Sequence, residues 1–137
     1  MSRNGLALLA LLCAAPAWAF EPTGLWQTGD GESRIKIQAC GNKLCGTLAW
    51  LNAPNDAAGQ PLRDDNNPDP ALRSRPMLGL PLFQGLVRSG DTWTGKIYNP
   101  EDGKLYDSTL VLTGPGKAEL SGCVAVVLCQ TEVLTRQ

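Results

Sequence analysis

Arg34 to Leu51 reads RIKIQACGNKLCGTLAWL, and the alternation in its two halves decides the fold class. In the first half Ile35, Ile37 and Ala39 share one face, while Arg34, Lys36 and Gln38 share the other. That period of two belongs to a strand with one buried face. Gly41-Asn42-Lys43 supplies turn chemistry, because Gly and Asn tolerate the backbone angles a tight reversal needs. In the returning half, Leu44, Gly46, Leu48 and Trp50 fall on one face. Cys40 and Cys45 flank the turn, so the two thiols can meet across a single hairpin.

The same rhythm runs outward in both directions. Thr92 to Asn99 sets Trp93, Gly95 and Ile97 against Thr94, Lys96 and Tyr98. Asn99-Pro100-Glu101-Asp102-Gly103 then turns the chain, with Pro fixing the first bend and Gly allowing positive φ at the last. Leu105 to Thr113 returns, Gly114-Pro115-Gly116 turns again, and Ala118 to Val124 and Leu128 to Thr135 follow. Thr23 to Thr28 and Phe83 to Ser89 bring the number of strands to eight. Eight sequential strands joined by short turns predict an all-β, antiparallel up-and-down barrel, which leaves no free edge. A two-sheet sandwich would require longer cross-over connections than these turns provide.

Between the third and fourth strands one long loop, Asn52 to Pro76, breaks the alternation and is rich in Pro. Irregular segments of that length are more often functional than average. Within it Asp69 is placed to cap a single helical turn starting at Pro70, with Leu72 expected to point inward. The apolar stretch Pro76 to Leu82 (PMLGLPL) is suited to plug the barrel mouth, to close over a ligand or to present a surface to a partner.

The N-terminus has its own logic. Arg3 is followed by the apolar run Gly5 to Ala15 and by Ala17-Trp18-Ala19, the pattern of an export signal cut before Phe20. The run is too short for a bilayer, which takes about 20 residues to cross. The reading is a signal peptide at 1–19, removed, and a single β-barrel domain at 20–137, periplasmic or extracellular and not membrane-embedded. Of five Cys, Cys13 lies in the leader, leaving Cys40, Cys45, Cys123 and Cys129 for an oxidising compartment. Among three possible connectivities, the local pairing Cys40–Cys45 and Cys123–Cys129 is favoured by the short connections. A Cys₄ metal site fits poorly, since its spacings are loose and export disfavours free thiols.

Composition excludes several chemistries. The chain of 137 residues has no His and a net charge of −1. Ser-His-Asp and Cys-His machinery are therefore absent, and nothing marks a nucleic-acid surface. Glu101 and Asp102 are adjacent acids in a solvated turn, and Lys96 and Lys104 flank them as surface charges. Asp107 alternates with Leu105, Thr109 and Val111, so either that acid or those apolar groups must face inward. Arg63 to Asp69 gathers oxygen ligands without the spacing of a calcium loop. No catalytic residue, cofactor or metal is expected.

Gly24-Leu25-Trp26 opens the first strand and Thr135-Arg136 ends the last. Closure of the meander would lay Arg136 over the Trp26 ring, as a cation–π contact. This pairing resembles the lipocalins and the wider calycin group. The run Gly95 to Tyr106 (GKIYNPEDGKLY) resembles the signature of a small exported bacterial family catalogued as a domain of unknown function, number 2147. Arg75 to Gly79, Leu44-Cys45-Gly46, Gly122-Cys123, Cys129-Gln130 and Thr135-Arg136 match its other marks in order. The family pattern has an aromatic residue before the final Thr-Arg where this chain has Leu134. The resemblance implies a lipocalin-like barrel outside the cytoplasm and no particular activity.

An eight-stranded barrel has room for packed side chains or one small ligand. Trp26, Ile35, Ile37, Leu48, Trp50, Trp93 and Ile97 are the expected interior, with Tyr98 or Tyr106 at a rim. Gly24, Trp26 and Arg136 are the expected closure. The functional expectation is a non-enzymatic exported barrel that binds a small apolar or amphipathic molecule. The alternative is a protein-interaction module, or an inhibitor of an envelope or host enzyme, acting through Asn52 to Pro76 or Asn99 to Lys104.

Overall fold

The computed structural model describes residues 21–125 and 128–137; the proposed leader and its cleavage point lie outside them. Eight strands run in order: β1 Gly24–Thr28, β2 Ser33–Cys40, β3 Lys43–Leu51, β4 Pro81–Ser89, β5 Thr92–Asn99, β6 Lys104–Gly114, β7 Lys117–Ala125 and β8 Leu128–Arg136. Each is antiparallel to the next, and β8 pairs with β1 to close the barrel. Such a topology puts the β1–β2, β3–β4, β5–β6 and β7–β8 connections at one end. The chain termini and the remaining turns lie at the other.

Closure is made by the residues that suggested it. Trp26 stands opposite Arg136 in the β1–β8 register, and the guanidinium lies 4.4 Å from the ring centroid. Arg136 also donates to the carbonyls of Thr23 at 2.7 Å and Pro115 at 2.8 Å, and to that of Glu21. The buried indole N–H is satisfied by the Pro22 carbonyl at 2.9 Å. A Cβ on Gly24 would fall 2.6 Å from Arg136 Nη1, and its φ of 135° is itself closed to most side chains.

Inward-facing residues fill the middle of the barrel. Trp26, Phe83, Leu86, Leu110 and Leu134 are fully or almost fully buried, and Ile35, Ile37, Leu44 and Leu48 pack with them. Phe83 lies where a side chain at position 46 would be: a Cβ on Gly46 would sit 2.3 Å from its Cζ. A glycine on β3 thus creates the space for the largest ring on β4. Leu80 from the end of the long loop is also buried, and Leu48 exchanges backbone hydrogen bonds with Gly79 and Leu80. Pro76 to Leu82 thus continues the β3–β4 pairing as part of the wall, with Leu80 and Leu82 buried and Leu78 exposed.

Two expectations on side-chain direction are revised, and the open choice at Asp107 is decided. Trp50 does not face the interior. The register shifts between Arg34 and Ile35, pairing Arg34 with Trp50 and Ile35 with Leu48, so Ala49 is an extra residue. One extra residue inverts the alternation beyond it. Trp50 is thereby turned to the outer wall, where Arg34 lies 4.4 Å from its ring centroid. Leu72, in the 3₁₀ turn Pro70–Leu72, is exposed and not inward; Asp69 does cap that turn. Asp107 faces outward and pairs with Lys96 at 2.5 Å, both well exposed.

Both predicted disulfides are local. Cys40–Cys45 and Cys123–Cys129 have Cα separations of 5.8 and 4.1 Å, the second tying β7 to β8 across one register pair.

Candidate functional site

The two ends of the barrel are filled differently because their inward residues differ. Towards the loop end, β8 turns Gln130 and Glu132 inward, opposite Gly122 and Leu120 of β7. β6 contributes Tyr106 and Ser108, opposite Ile97 and Gly95 of β5. Polar or glycine positions replace the leucines and aromatics found deeper in. A cavity of about 1040 Å³ remains, lined by Leu82, Ile97, Leu120, Tyr106, Gly122 and Glu132 among others. That volume matches small-molecule sites, which combine an apolar floor with a few placed polar groups.

The rim is polar on one side and apolar on the other. Glu101 and Asp102 come from the β5–β6 turn, and Val124 and Leu128 from the ends of β7 and β8. Leu128 is 67% exposed. Tyr106 donates its hydroxyl to the Asp102 carboxylate. That bond, helped by the Lys104 backbone N–H and charge, holds the Asp102 carboxyl below its usual range, and it raises the Tyr106 phenol. Glu132 accepts from the Gly29 backbone N–H at 2.8 Å. Among the described residues it makes no ion pair.

The long loop holds the rim in place. Asp64 is fully buried, and its carboxylate accepts from Tyr98 Oη at 2.6 Å, Asn67 Nδ2 at 2.9 Å and Arg75 Nε at 3.0 Å. Burial pushes the Asp64 carboxyl up, but those three hydrogen bonds and the Arg75 charge outweigh it, and the net direction is down. For Tyr98, burial and then the Asp64 bond push the phenol up to about 12. Next to this anchor, Asn66 donates to the carbonyls of Pro100 at 3.2 Å and Glu101 at 3.0 Å. Gly103 permits the approach: its φ is 71°, and a Cβ there would overlap the Asn66 carbonyl oxygen at 1.8 Å.

The sequence-predicted residues are distributed as follows. Ile97, Tyr98 and Tyr106 line the loop-end cavity. Trp26, Ile35, Ile37 and Leu48 belong to the packed core. Trp93 is inward but near the opposite end, where it lines a second cavity of about 670 Å³ with Leu112, Lys43 and Arg88. Trp50 is outside. Glu132 and Asp64 were not singled out. Alternation counted back from Leu134 would have found Glu132, whereas nothing local marks Asp64 apart from the other acids of its run. No group of three or more His, Cys, Asp or Glu suited to a metal occurs among the described residues.

The family model described as "Uncharacterized protein conserved in bacteria (DUF2147)" matches residues 24–136. Among solved structures, the chain is similar to protein HP1028 from Helicobacter pylori, described as belonging to the lipocalin family. The TM-score is 0.73 at 22% identity, over 86% of this chain and 84% of that one. No curated protein matches the chain in sequence.

Proposed function

From the premise that this chain belongs to the bacterial DUF2147 family, with a closed barrel like that of a lipocalin, we propose that it is a non-enzymatic, exported carrier of a small apolar or amphipathic molecule. The observation that carries this reading is the loop-end cavity of about 1040 Å³, floored by Leu82, Ile97 and Leu120. A fully packed barrel would leave no such space. The cavity opens between a disulfide-tied hairpin and a turn strapped by the long loop, so its walls are largely preformed. Preformed walls reduce the entropy lost on binding. The two disulfides fit an oxidising compartment, in line with export.

Native mass spectrometry and organic extraction of protein purified from its own host test the reading. The expected result is a bound small molecule at near one equivalent. It should be lost in L120R, which sets a charged side chain on the cavity floor while the strand pairing persists. Protein that is empty from its host and takes up no amphiphile in titration would overturn the proposal.

A further inference from the structure

Every ionisable group on the wall or rim of the loop-end cavity, the two tyrosines aside, is a carboxylate: Glu101, Asp102 and Glu132. Among the described residues no Lys or Arg lines it. Lys104, whose charge acts on Asp102, is exposed and stands outside the lining. Glu132 differs in kind from the other two. It lies on the inward face of β8, opposite the buried Leu120, half-buried and within the barrel wall itself. Its carboxylate accepts from the Gly29 N–H, and among the described residues no Lys or Arg pairs with it. A cationic ligand would supply that pairing; an anionic one would add like-charge repulsion in a region of reduced dielectric.

Ser108, next along β6 on the same face as Tyr106, lies outside that lining. The Ser108 hydroxyl is on the inward face, flanked in register by Gly95 and Gly122, and the residue is 4% exposed. Among the described residues it has no hydrogen-bond partner. A buried hydroxyl without a partner is unfavourable. Leu86 occupies the space over Gly95, and Tyr106 and Ile97 border Gly122, so the hydroxyl is enclosed by the chain's own side chains.

Resting on the carrier reading, we propose that this cavity selects amphipathic cations: a quaternary ammonium or protonated amine against Glu132, with the apolar portion on Leu82, Ile97 and Leu120. Asp102 and Glu101 extend the negative field to the rim and speed entry of such ligands. Fatty acids and other anionic amphiphiles are disfavoured by the same three groups.

Calorimetric titration of the disulfide-intact protein at neutral pH and low salt tests this with three probes of one chain length, each below its micelle concentration. They are dodecyltrimethylammonium, dodecanol and dodecanoate. The expected order is ammonium first and carboxylate last, with about a tenfold difference between those two, as one charge at short range supplies. E132Q keeps an acceptor for the Gly29 N–H and should cut that difference to less than about threefold. D102N should give a smaller reduction, because that group is exposed at the rim. Dodecanoate binding as tightly as the ammonium, or a preference untouched by E132Q, would overturn the charge selection alone. Failure of all three probes to bind would overturn the selection and the carrier reading together.

Discussion

The two ends of this barrel are built from the same strands and are filled to different extents, with a cavity of about 1040 Å³ at the loop end and one of about 670 Å³ at the terminal end. At the terminal end, Trp26 fills the space between β1, β2 and β8, and Arg136 covers its ring and takes up three backbone carbonyls. At the loop end, the corresponding inward positions of β8 are Gln130 and Glu132, which leave a cavity. One end thus has a cation whose hydrogen bonds are made within the chain. The cavity at the other is lined by Glu101, Asp102 and Glu132, none of which makes an ion pair among the described residues. The difference teaches that strand pairing closes a barrel sideways, while the size and polarity of inward side chains decide how far each end is filled.

That comparison can be broken at the terminal end first. W26A removes the largest core side chain and leaves Arg136 without its ring. The expected loss is about 3–5 kcal/mol of global stability by urea unfolding, among the costs typical of large aromatic truncations. An effect below about 1 kcal/mol would mean that Trp26 does not carry the closure.

At the loop end, D64A should cost roughly 2–3 kcal/mol, since it strands the Tyr98 hydroxyl and the partly exposed Arg75. The change should be local, with the long loop gaining hydrogen exchange and protease sensitivity before the barrel does. The pH dependence follows from the same contacts. Asp64 titrates below its unfolded value, so its contribution is full above roughly pH 4 and is lost as pH falls through the folded value. Tyr98 titrates above its unfolded value, so its share is full below roughly pH 10 and is lost as pH rises towards about 12. Loop protection should therefore form a plateau between those limits. In D64N the acid limb should disappear, and persistence of that limb would place its origin elsewhere.

Smaller effects sharpen the contrast. The double change C123S/C129S removes a short closed loop, worth about 2 kcal/mol in the chain-entropy model. It should also loosen the β7–β8 rim of the cavity and weaken amphiphile binding, whereas C40S/C45S at the far end should cost similar stability and leave binding alone. The smallest effect is expected from S108A. Without a ligand, removing an unpartnered buried hydroxyl should be neutral or stabilise by up to about 1 kcal/mol. A clear loss of stability would show that the hydroxyl already has a partner.

Much of the fold was legible because strands announce themselves through alternation. The eight segments, the turn at Asn99 to Gly103 and the short Cys spacings each rest on local chemistry; six observed strands extend the expected ones by one or two residues, β5 matches, and β1 starts one residue later. The candidate site was less legible. Trp50 fits the inward pattern of Leu44, Gly46 and Leu48 until one bulge residue turns it outward. Tyr98 fits the outward pattern of its strand and is buried nonetheless, because the long loop folds over that face and supplies Asp64.

By itself, then, the amino-acid order determined the all-β meander, the two local disulfides and the meeting of Trp26 with Arg136. Each depends on neighbours in sequence or on the simple need to pair the first strand with the last. Only the tertiary structure decided which end keeps the larger cavity, where the long loop docks and which carboxylates face an apolar floor. Those outcomes depend on side-chain volumes and polar contacts summed across several strands, and no local pattern carries that sum.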